Sequence, residues 1–208
     1  MSLSEPWTEQ EKQIAGLAEN VRQMYTVVEQ EARLVGRENI VIGGLSQGCA
    51  TSLIALMGLI QPVGGYIGIA GWLPLVKDIK AAAFQATDTD EQKSSSQMRA
   101  ARSVQSALAL PLSPAHGECG FAGTPCMLGH GTADPKVVVK HGEEARDVLT
   151  NLGANVTWKP YADFGHWWKE PDTIDDIAAF FLEKVSMTVA ALDGKGQGPE
   201  DGIVFALD

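Results

Sequence analysis

A three-layer α/β fold around a mainly parallel sheet is what this sequence predicts, and three observations predict it. Short β-branched runs alternate with segments whose apolar residues recur at helical spacing. No charged residue occurs between Asn39 and Val76, which assigns that stretch to a buried core. The same stretch is cut at Gly43-Gly44, Gln61-Pro62 and Gly64-Gly65, so it holds no clean run of about 20 apolar residues of the kind a transmembrane helix needs.

The elements follow in order. Ile14, Leu17, Val21, Met24 and Val28 keep the three-and-four spacing of one helical face, predicting an amphipathic helix from about Thr8 to Leu34. Asn39-Ile40-Val41-Ile42 lacks polar alternation, as expected of a strand covered on both faces, and it runs into Gly43-Gly44. Small and apolar residues from Gln47 to about Ile60 predict a buried helix that Gln61-Pro62 ends. Val63 to Ile69 reads as the next strand, its glycines allowing close backbone approach.

From about residue 77 to 120 the composition shifts to Ala, Ser, Gln and Thr without strong periodicity, which predicts an insertion or lid. Thr124 to Leu128 resumes as a strand, His141 to Leu152 as a helix stopped by Gly153, and Val156 to Tyr161 as a strand. Ile174 to about Val189 is an amphipathic closing helix. One domain over residues 1–190 and a flexible tail over 191–208 are expected from the 208-residue length and the glycine-rich end.

Acidic residues outnumber basic ones 26 to 16, and the net charge of -10 repels phosphate backbones and anionic membrane surfaces. Nucleic acid is therefore not an expected partner. The three cysteines, Cys49, Cys119 and Cys126, match neither a zinc spacing nor a disulfide framework, which fits a reducing cytoplasmic setting. Residues 1–10 carry no basic segment followed by an apolar one, so they do not read as a secretory signal.

The chemistry centres on Gly44-Leu45-Ser46-Gln47-Gly48, a nucleophile-elbow pattern lying between a buried strand and a small-residue helix. A serine hydroxyl is a weak nucleophile at neutral pH and needs a base that a carboxylate orients. Four histidines are available. His166 falls in a loop between the last predicted strand and the last helix. His130, between Gly129 and Gly131, is placed to turn inward and hold its loop. His116 and His141 read as solvent-exposed. Asp134 follows directly from a strand end, where α/β proteins place functional groups. Asp163 is a rival carboxylate, less well placed because it lies only three residues from His166. Ser46, Asp134 and His166 stand in the order of the α/β-hydrolase triad.

Four strings carry a resemblance: Gly43-Gly-Leu-Ser-Gln-Gly48, Gly71-Trp-Leu-Pro74, Leu128-Gly-His-Gly-Thr-Ala-Asp-Pro135 and Phe164-Gly-His166, followed by Ile174-Asp-Asp-Ile177. From about Ala15 to Val185 the chain resembles the phospholipase/carboxylesterase family of α/β-hydrolases that includes the acyl-protein thioesterases. The resemblance implies an α/β-hydrolase fold and a serine hydrolase of carboxylic esters or thioesters. It implies Ser46 as nucleophile, Asp134 as orienting acid and His166 as base. By the same resemblance the Gln47 N–H serves the oxyanion, and Trp72, Leu73 and Pro74 help wall the acyl site. The expected substrate is a small ester or an acylated protein, with no cofactor and no metal.

Trp167-Trp168 departs from the small residues that follow the histidine in typical acyl-protein thioesterases. Only 45 residues precede Ser46 and none spells the His-Gly loop that supplies a second oxyanion donor in the family. The expectation is a family member lacking its N-terminal third. Two alternatives remain open: an impaired homologue that keeps the acyl pocket as a binding module, and a biosynthetic acyltransferase.

Overall fold

The computed structural model describes residues 10–84, 93–112 and 119–185. Helix α1 (Gln10–Val35) leads through a short 3-10 turn to β1 (Val41–Leu45), α2 (Gln47–Gly58) and β2 (Gly65–Ile69). Helices α3 (Val76–Ala83), α4 (Lys93–Ala107) and α5 (Gly120–Gly123) precede β3 (Cys126–Gly131), α6 (Val139–Asn151), β4 (Val156–Tyr161) and α7 (Asp172–Lys184). The four described strands are all parallel in the order β1-β2-β3-β4.

Strand alternation divides the side chains between two layers. Ile42, Tyr66, Cys126 and Leu128 face the larger core with α1, α2, α4 and α6, whereas Val41, Ile67 and Met127 face Phe180 and Val185 at α7. Three side-chain donors bond backbone carbonyls in and around the larger core. Tyr66 donates its hydroxyl to the Cys49 carbonyl at 3.0 Å, Tyr25 donates to Ala55 O at 2.8 Å, and the buried Gln105 amide donates to Gly58 O at 3.0 Å. The last of these bonds satisfies a carbonyl at the end of α2 that no further helical N–H can reach. On the opposite face Asp176 holds α7 to β4, pairing with Lys159 at 2.7 Å and accepting the Tyr161 hydroxyl at 3.2 Å.

The described elements differ from expectation at β1 and in the stretch from about residue 77 to 120, which holds α3 as well as α4. β1 runs through Gly43 and Gly44 rather than stopping at Ile42, because both glycines stay in register opposite Ile67 and Gly68. A helix, α4, lies within the stretch without periodicity. Its inward positions, Ala100, Ala101, Val104 and Gln105, are small or polar, so burial there leaves little hydrophobic contrast in the sequence. The proposed one-domain reading accordingly takes α4 into the same core. The expected tail, 191–208, lies outside the described residues.

Leu108, just past α4, is fully enclosed in the larger core. We expect Leu108→Ala to lower unfolding stability by about 2–5 kcal/mol in urea melts. A change near zero would show that this segment is not part of the core.

Candidate functional site

The site begins where β1 turns into α2. Ser46 sits between them at φ 55° and ψ -117°, a conformation that side-chain-bearing residues rarely adopt. Two backbone bonds hold the turn: the Ser46 N–H donates to Ile69 O at 2.9 Å, and the Ser46 carbonyl accepts Ala50 N–H at 3.1 Å. Gly44 is required by packing. A Cβ there would lie 2.4 Å from the Gly48 carbonyl carbon and 2.7 Å from Cys49 N.

The loops after β3 and β4 are sewn together by backbone. Thr132 N–H donates to Tyr161 O at 2.9 Å and Ala133 N–H to Phe164 O at 2.9 Å, while Asp163 N–H donates to Thr132 Oγ1 at 2.9 Å. Gly131 permits the contact, since a Cβ there would meet Gly165 O at 2.3 Å. This stitching brings Asp134 and His166 face to face.

His166 Nδ1 lies 2.7 Å from Asp134 Oδ2, and His166 Nε2 lies 2.8 Å from Ser46 Oγ across 120 residues of sequence. A carboxylate only accepts, so Nδ1 carries the proton and Nε2 offers its lone pair to the serine hydroxyl. The Asp134 carboxylate is fully buried, and its other oxygen accepts Lys136 N–H at 2.8 Å and Val137 N–H at 3.0 Å. Three N–H donors thus replace the water that burial removes. The Lys136 and Val137 donors escaped the sequence reading. Their signal is Asp-Pro at a turn, because an aspartate there bonds backbone two and three residues on.

The remaining expected residues fall as follows. Gln47 is the first residue of α2, and its N–H is one of the four that have no partner inside a helix. Trp72 and Pro74 are partly buried, but Leu73 is only 2 % exposed and belongs to the larger core. Trp72 also lines a water-sized cavity with Cys49, Leu128, His130 and Trp158. Asp163 is exposed, and the His166 hydrogen bond goes to Asp134 instead. His116 lies outside the described residues.

His141 corrects the sequence reading. It is 7 % exposed rather than solvated, on the first turn of α6 and near enough to His130 for their charges to interact. Cys49, one helical turn beyond Ser46, is pushed up to about 11 by burial and stays a thiol. Among the described residues no helix is long and apolar enough to cross a membrane.

The phospholipase/carboxylesterase family model matches residues 1–98. Acyl-protein thioesterase 1 of Gibberella zeae is 28% identical over 171 residues, covering 82% of this chain and 59% of that protein. Carboxylesterase SOBER1 of Arabidopsis thaliana is 26% identical over 153 residues, 73% of this chain and 53% of that protein. The chain therefore spans only a little over half the length of these relatives. Among solved structures, Arabidopsis thaliana SOBER1 shares the fold at a TM-score of 0.56 and 23% identity, over 81% of this chain and 64% of that one. Zea mays acyl-protein thioesterase 2 shares it at 0.52 and 22%, over 79% and 66%.

Burial holds the His130 imidazole below its ordinary value of 6.5, although the Val137 carbonyl and Asp134 oppose the shift. At pH below about 6.5 the unfolded chain binds a proton at this position that the folded chain does not, so stability falls as pH drops. We expect the urea midpoint to be lower at pH 5.5 than at pH 7.5, with a smaller drop in His130→Gln. An equal drop in both proteins would remove His130 as its source.

Proposed function

We propose that this chain, a relative of the phospholipase/carboxylesterase family, is a serine hydrolase of carboxylic esters or thioesters, acting through an acyl-enzyme at Ser46. The observation carrying this reading is the linked pair of hydrogen bonds, Ser46 to His166 and His166 to Asp134, built on a strained elbow. His166 Nε2 takes the hydroxyl proton as Ser46 Oγ bonds to the acyl carbon. The carbonyl electron pair moves onto oxygen, and the Gln47 N–H at the positive end of α2 faces that charge.

Collapse of the tetrahedral adduct re-forms the carbonyl and breaks the bond to the alcohol or thiol, which leaves with the proton from Nε2. Water then gives a proton to Nε2 and its oxygen to the acyl carbon, and a second collapse returns the proton to Ser46. Asp134 keeps its charge throughout and stabilises the imidazolium.

Trp72 and Pro74 offer apolar surface to the acyl group. Trp167 is 51 % exposed one residue after His166, and its ring centroid lies 4.6 Å from that of Trp168. This bulk beside the base favours a short acyl group over a long chain, whether on a small molecule or on a protein. Three buried free thiols fit a reducing cytoplasmic setting.

An alkyl fluorophosphonate reports directly on the nucleophile. We expect it to label the chain covalently, Ser46→Ala to abolish labelling, and hydrolysis of p-nitrophenyl acetate to fall by three orders of magnitude or more (~10³) in the same variant. Labelling that survives Ser46→Ala would overturn the assignment.

A further inference from the structure

We propose that His130 is a positioning residue for this site: by donating its Nε2–H to the Val137 carbonyl it closes the 134–137 turn and holds the Asp134 carboxylate toward His166. His130 is the next-to-last residue of β3, and strand alternation points it to the same side as Cys126 and Leu128. Its ring is only 1 % exposed. Nε2 lies 2.9 Å from Val137 O and 3.4 Å from Asp134 Oδ2. The opposite edge of the ring is pressed by α6, where a Cβ on Gly142 would come within 2.5 Å of Nδ1. A ring gripped this way has one available role for Nε2.

A carbonyl only accepts, so Nε2 carries the proton. In the neutral ring Nδ1 is then unprotonated. Val137 is itself completely buried, and its N–H is one of the donors on Asp134 Oδ1. The peptides on either side of Val137 are therefore committed in both directions, with one carbonyl on His130 and one N–H on Asp134. Removing the imidazole donor leaves a buried carbonyl unpaired. The turn then relaxes, and the Val137 N–H leaves the carboxylate.

Three titratable groups face this ring: Asp134 from the turn, His166 from the loop after β4, and His141 from α6. Arg146 lies over the Trp158 ring, 5.3 Å from its centroid. A second cation at His130 would compete with His166 for the same Asp134 oxygen, and burial opposes that cation.

The inference rests on the hydrolase reading for its kinetic arm alone, and histidine NMR tests it separately. In the 15N-labelled protein at pH 7 we expect His130 as the neutral Nε2–H tautomer and a downfield proton on His166 Nδ1. His130→Phe keeps a ring without a donor, and His130→Gln restores a donor near the Nε2 position. For His130→Phe we expect kcat per fluorophosphonate-titrated Ser46 to fall about tenfold with KM within about twofold, and the His166 proton to broaden or move upfield.

His130→Gln is expected to recover most of both losses. A merely structural histidine would lower the titratable fraction and leave kcat per titrated site at the parent value, which would overturn the proposal. So would a protonated His130, or an Nδ1–H tautomer, in the parent protein at pH 7; that readout stands even where His130→Phe does not fold. Absence of Ser46 labelling in the parent would count against the hydrolase reading, and the His166 proton in the two variants would still decide for or against His130.

Discussion

Parallel strand direction is the constraint on which the site depends, because it places the carboxyl ends of β1, β3 and β4 at one edge of the sheet. Backbone pairing continues past those ends. Ser46 N–H reaches Ile69 O, Ala70 N–H reaches Gly129 O, and Thr132 N–H reaches Tyr161 O, at 2.9, 2.8 and 2.9 Å. The residues that leave the sheet are thus still fixed by it. Side chains 120 residues apart meet within 2.8 Å because their first loop residues hang on the same ladder.

Burial then determines what these groups can do. A carboxylate enclosed as Asp134 is would be strongly destabilising without donors, and the turn after it supplies two backbone N–H groups in addition to His166. The same enclosure removes a competitor. Cys49, one helical turn beyond Ser46, is pushed up to about 11, so that thiol stays protonated at neutral pH. Tyr66 anchors α2 through the Cys49 carbonyl and thereby steadies the helix whose first N–H groups face the serine.

Legibility in the sequence followed where chemistry and backbone coincide. Strand-end residues such as Ser46, Asp134 and His166 stood out because glycines and turn residues flank them, and the structure brings all three together. β4 was legible because Val156 to Tyr161 is bounded by turn residues on both sides. α4 was not, since a helix whose buried positions are mostly serine, alanine and glutamine, with Met98 and Val104 as the larger apolar ones, offers weak contrast. His141 was misjudged because Lys140, Glu143 and Glu144 surround it with charge, while its burial on α6 is a tertiary fact. The 3-10 turn before β1 was also hidden. It depends on Asn39 donating its side-chain amide to Val35 O at 2.7 Å, which no periodicity records.

A covalent acyl group on Ser46 distinguishes this chemistry from any other, and acid quenching traps it. The protein is mixed with a short-chain acyl thioester, quenched in acid during turnover and digested for peptide mass mapping. We expect the acyl mass on the peptide containing Ser46, on the serine itself, and its disappearance as substrate is exhausted. Turnover without any acylated Ser46, or acyl mass confined to Cys49, would contradict it.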